Sequence, residues 1–98
     1  PDQTWMLRKE ESLVMLGNTK DLDVKMLWMG DKLSNMRAIA RDYDEIGDEL
    51  WQRFHTTDPK DHEWHYRGLA DSLSELSDTE AYKEFKDKTN FFNLWYCF

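Results

Sequence analysis

A chain of 98 residues, 40% hydrophobic and 14% aromatic with five Trp, holds enough apolar mass for one small folded domain over residues 1–98 and argues against disorder. Its net charge of −7 argues against duplex nucleic acid as a partner, because duplexes are bound through their phosphates. The apolar runs are too short to span a membrane, no basic-then-apolar leader is visible, and the single Cys97 cannot form an internal disulfide, so the expected setting is the cytoplasm.

The apolar spacing predicts four helical segments and no strand, an all-α helical bundle. Asp2 or Thr4 can cap the first, which carries Trp5, Met6, Leu13, Val14 and Leu16. Gly17-Asn18 reads as its left-handed C-terminal cap. Asp21 or Asp23 opens a long second segment running from Met26 to Phe54, with Gly30 as a place to kink or divide it. From Leu33 onward its apolar residues, Leu33, Met36, Ile39, Ala40, Tyr43, Ile46, Leu50, Trp51 and Phe54, fall on one arc. Thr57-Asp58-Pro59 restarts a helix with a capping Asp and Pro in the first helical position. Leu69, Leu73 and Leu76 line that third helix. Ser77-Asp78-Thr79-Glu80 reads as a capping box for the fourth, with Tyr82, Phe85, Phe92 and Tyr96 on one side. The tail "FFNLWYCF" is apolar nearly all round and should pack against something.

Several features invite chemistry. The acids of "DYDEIGDELW" do not make a calcium loop, because Ile46 and Arg53 stand where oxygen ligands are needed. Asp42, Asp44, Glu45, Asp48 and Glu49 fall opposite the apolar arc, as a solvated helix face does. His62 and His65 share a helix face and could reach one metal, but that is the leucine face, so a hydrogen-bonded core or rim pair is the reading preferred. Trp64 points away from the leucines and either covers a neighbouring helix or marks a contact surface.

Asp31 interrupts the apolar run of "MLWMGDKLSNMR". It shares a stripe with Val24, Trp28 and Asn35 at the border of the apolar arc, and Asn35 lies one turn on. A hard oxygen ligand beside an amide suits a divalent metal next to a polar substrate group. The plainer alternative is an Asp paired with Lys or Arg, or one turned to water.

"MLWMGDKLSNMR" resembles the last metal-ligand motif of HD-domain phosphohydrolases of the RelA/SpoT type, an apolar run followed by L-A-D-R/K-L-x-N-M/L-R. Gly30 stands for the small Ala, Asp31 for the metal-binding Asp and Asn35 for the Asn that contacts the nucleotide. "TWMLRKEESLVML" resembles the preceding W-x-x-R-K helix of the short stand-alone members. "GDELWQRF" and "HEWHYRGLADSL" resemble the segments that follow. The similarity covers about Trp5 to Phe85. It implies a metal-dependent hydrolase, usually using Mn²⁺, that removes the 3′-pyrophosphate of (p)ppGpp or a related nucleotide. Asp31 would be one of four protein ligands to the metal, Asn35 would fix the nucleoside, and Arg8, Lys9 and Lys32 would contact phosphate. The family's His, His-Asp and Glu-Asp elements lie upstream of this region. Here no His precedes His55 and no His-Asp dipeptide occurs.

The chain therefore resembles the C-terminal part of an HD domain, and Pro1 in place of Met suits a cut within a longer chain. Such a part would be inactive alone and would leave apolar helix faces bare, so it should self-associate or rearrange, with the aromatic tail as a seam. The alternative is a small acidic helical interaction module without catalysis.

Overall fold

The computed structural model describes residues 3–54, 57–90 and 92. Among them the chain is all-α and contains no strand. Four helices, α1 (Gln3–Asn18), α2 (Leu22–Ile46), α3 (Pro59–Ser72) and α4 (Glu80–Asn90), are joined by two 3-10 segments at Gly47–Arg53 and Ser74–Leu76. The long α2 is the spine. It packs on α4 and on both 3-10 segments, while α3 packs on α1 and α4.

Local chemistry explains most of the boundaries. The Asp21 carboxylate accepts from the Asp23 and Val24 amides and so caps α2. Asp58 accepts from the Lys60 amide at 2.9 Å, ahead of Pro59 in the first turn of α3. Three boundaries differ from the sequence reading. First, α1 runs through Gly17 and Asn18, and no residue there has positive φ. It ends where the Thr19 amide and hydroxyl donate to the Leu16 and Met15 carbonyls. Thr4 lies inside this helix rather than capping it, and Asp2 is outside the described residues.

Second, α2 passes through Gly30 undivided and stops at Ile46 instead of reaching Phe54. Gly47 adopts φ 63°, ψ −143°, a conformation that a side chain resists, and its amide still donates to the Tyr43 carbonyl. The turn brings Leu50 and Trp51, each 2% exposed, back against the spine. Third, the cap of α4 is Thr79 and not Ser77. Its hydroxyl accepts from the Tyr82 amide at 3.1 Å while donating to the Leu76 carbonyl at 2.7 Å.

The core is built from Leu16, Met29, Leu33, Met36, Ile39, Leu50, Trp51, Tyr66, Leu69, Ala70, Leu73, Leu76, Phe85 and Phe92. Rings dominate the end near Trp51, which lies 6.0 Å from Phe92 and 5.6 Å from His62 by centroid. Polar ties fix the helices laterally. Arg37 of α2 grips Glu84 of α4 with two bonds of 2.6 Å, which hold the Glu84 carboxyl down at about 2. The Ser72 hydroxyl donates to the Leu13 carbonyl and the Tyr82 hydroxyl to that of Ala70. The acids read as a solvated face are so placed: Asp44, Glu45, Asp48 and Glu49 are exposed and Asp42 is half-buried.

One buried residue escaped the sequence reading. Lys25 is 0% exposed, and its Nζ donates to the Ser72 carbonyl at 3.0 Å and to Glu75 at 2.7 Å. Counting one turn back from Met29 along the core stripe lands on this lysine, which was the available signal.

Candidate functional site

Helix α2 presents Asp31 and Asn35 on one side, a turn apart, because four residues make slightly more than one helical turn. The Asp31 side chain is 67% exposed. It stands at the rim of a hollow of about 280 Å³ lined by Leu27, Trp28, Asp31 and Lys32. Lys32 reaches it at 3.4 Å and lays its own ammonium over the Trp28 ring, 5.4 Å from the centroid. A solvated carboxylate carries no burial penalty, so an Asp within this apolar run needs no tight partner.

Asn35 borders a second hollow, of about 330 Å³, shared with Ala38, Ile39, Asp42, Leu50, Phe54 and Tyr66. Tyr66 of α3 lines this second hollow. Burial pushes its hydroxyl up to about 12, the nearby Asp31 charge pushes the same way, and a hydrogen bond with Asn35 works against both.

Lys9 approaches from α1. Its ammonium lies over the Trp5 ring at 5.7 Å, and its pKa is lowered by burial, then by the charges of Lys32 and Arg8. Lys9 and Lys32 both act on His65 of α3, which is 5% exposed and held neutral. Burial first, then the two lysines and His62, bring its pKa down to about 3. Arg8 faces elsewhere, into a depression with Glu11, Ser12 and Met15 that includes none of the other candidates. Asp31 and Lys32 thus line one hollow and Asn35 another, the charges of Lys32 and Lys9 both bear on His65, and Arg8 is exposed on α1.

His62 and His65 are core residues, as read, but among the described residues His65 is met by rings rather than hydrogen bonds. Trp5 lies at 6.0 Å and Tyr66 at 5.2 Å. His62 packs against Phe54 at 4.7 Å and Trp5 at 5.8 Å. His55 is outside the described residues. Trp64 is half-buried and lines a hollow with Met6, Leu7 and Glu10, so it covers α1. His65 and Tyr66 were missed as members of the site. Their signal was two polar-tipped rings in succession on a leucine-lined helix.

A metal held for catalysis needs several donors. Among the described residues no three His, Cys, Asp or Glu side chains gather to hold an ion. None of the described helices is long and apolar enough to cross a membrane.

Comparison with known proteins adds no relative: no family model, no curated protein and no solved structure matches this chain.

Proposed function

We propose that this chain is the C-terminal portion of an HD-type nucleotide pyrophosphohydrolase acting on (p)ppGpp or a nucleotide of the same kind. The supporting observation is the placement of Asp31 and Asn35 a turn apart on α2, each lining a hollow, with Lys32 beside Asp31. In this reading Asp31 contributes one carboxylate to a manganese site completed by residues this chain lacks. Asn35 and Tyr66 hold the nucleoside end. Lys32 and Lys9 offset phosphate charge, and Arg8, on its outer face, has a lesser share. Because the other donors are absent, the 98-residue chain is expected to release no pyrophosphate from ppGpp when supplied with Mn²⁺. Manganese-dependent release by the purified chain would contradict this division of the site.

A second reading, an acidic helical interaction module without chemistry, draws on a different observation. Leu7, Val14 and Met15 of α1 are 57–60% exposed, and Leu27 of α2 is 75% exposed. These are large apolar side chains without cover from the described residues. In the first reading the rest of the HD domain covers them; in the second a partner does. Either way the isolated chain is expected to self-associate. Sedimentation in dilute solution checks this, and a well-behaved monomer speaks against both versions. The aromatic tail proposed as a seam lies outside the described residues, Phe92 apart.

A further inference from the structure

We propose that Asp42 of α2 is a specificity residue, selecting a guanine over an adenine base in the hollow it shares with Asn35, Phe54 and Tyr66. That a nucleotide enters this hollow rests on the phosphohydrolase reading; the choice of base rests on Asp42 and the walls around it. The neighbouring acids Asp44 and Glu45 are exposed, whereas Asp42 is half-buried and lines the hollow of about 330 Å³. Its one polar contact among the described residues is with Arg41, whose Nε lies 3.5 Å from a carboxylate oxygen on a side chain that is itself 68% exposed. A half-buried carboxylate that accepts no closer bond keeps acceptor capacity for a ligand.

The walls suit a flat ring. Asn35, Ala38, Ile39 and Asp42 succeed one another at helical spacing and form one stripe of α2 along the hollow. Asn35 and Asp42 are two turns, about 10 Å, apart along the axis, a span that a nucleoside bridges with its sugar at one end and its base at the other. Ala38, the smallest side chain of the stripe, leaves the middle open. Phe54 is held in place by its packing on His62 at 4.7 Å and on Trp51 at 6.1 Å, so it is a fixed aromatic wall for stacking. Guanine presents N1–H and N2–H as parallel donors, and one carboxylate accepts both. Adenine sets the lone pair of N1 beside its N6 donor, so a carboxylate there meets one donor and one repelling acceptor. A site built for two donors rejects the analogue that lacks one.

The test titrates the full 98-residue chain with the 5′-monophosphates of guanosine, inosine and adenosine, without metal, by calorimetry and by NMR of the Phe54 ring and the Asn35 amide. The guanine nucleotide is expected to bind about tenfold more tightly than the adenine one, with inosine, which keeps N1–H but lacks the amino group, between them. Asp42→Asn should reverse the order of guanine and adenine, because an amide offers one acceptor and one donor, the complement of adenine. Loss of a merely structural contact would not produce that reversal. Circular dichroism reports the folding of the variant, and the wild-type order of the three nucleotides decides the matter should it misfold. Equal wild-type affinity for all three, or an unchanged guanine preference in a folded Asp42→Asn, would overturn the assignment. So would agmatine, a guanidinium cation, moving the Phe54 ring where the guanine nucleotide does not. Failure of the phosphohydrolase reading would show separately: Asp31→Asn would leave the turnover of the full reading frame intact while the 98-residue chain still ranked the bases in this order.

Discussion

Replacing Lys25 by Ala should destabilise the fold by about 3 kcal/mol, and replacing it by Met by about 1 kcal/mol, as measured by urea unfolding. The difference separates two contributions. The four-carbon stem of Lys25 is fully buried on the core side of α2, so truncation leaves a cavity as Met→Ala would. Met fills that volume and loses only the bonds to the Ser72 carbonyl and Glu75. Those bonds satisfy a carbonyl at the C-terminal end of α3, where helical carbonyls lack partners and a cation is favoured. Glu75 is half exposed, and its pKa is lowered by the bond from Lys25, so Glu75→Gln should matter less than Lys25→Ala. Equal losses for the Met and Ala variants would mean that the ammonium, and not the stem, holds this junction. For a domain of this size a loss of 3 kcal/mol is a large share of the total.

Acid should weaken the protein through His65. In the unfolded chain its pKa is about 6.5, and in the folded chain burial and the neighbouring lysines bring it down to about 3. Below pH 6.5 the unfolded state therefore binds a proton that the folded state refuses. Stability is fully present above that pH, falls as the pH drops, and the contribution is gone below about pH 3. Each pH unit within the window costs about 1.4 kcal/mol, so the loss between pH 7 and pH 5 is about 2 kcal/mol. Glu84, held down at about 2 by Arg37, adds a loss of the same sign only below about pH 4.5. Urea midpoints at pH 7 and pH 5 measure the effect, and His65→Phe should flatten the difference between them. A wild-type midpoint that does not move over this range would show that the folded imidazole accepts a proton easily.

What the sequence disclosed is what local rules govern. The Asp21 and Asp58 caps, Pro59 and Leu69 follow from hydrogen-bond and periodicity rules acting within a turn or two, whereas Leu73 and Leu76, read onto the same helix, are buried but lie past its end at Ser72. The break at Gly47 was hidden because the apolar arc continues in register beyond it: Leu50 and Phe54 suit a helix as well as a fold-back. Lys25 was hidden because its partners lie 47 and 50 residues away. The same holds for the site. Asp31 and Asn35 could be paired by helical spacing alone. That Tyr66 comes to feel the Asp31 charge and to bond Asn35, and that Lys9 and Lys32 both bear on His65, depends on how the helices are placed in space, which no single segment encodes. The chemistry assigned to these residues came from resemblance to a family motif and not from spacing.

The most direct measurement expresses the full reading frame that encodes this chain and assays release of pyrophosphate from ppGpp in Mn²⁺. The wild type is compared with Asp31→Asn. The proposal predicts manganese-dependent turnover by the wild type and a loss of at least about a hundredfold in the variant, as removal of a metal ligand should cause no less than loss of its supporting contacts. Undiminished turnover in Asp31→Asn, or a complete reading frame inactive toward ppGpp and related nucleotides, would contradict it.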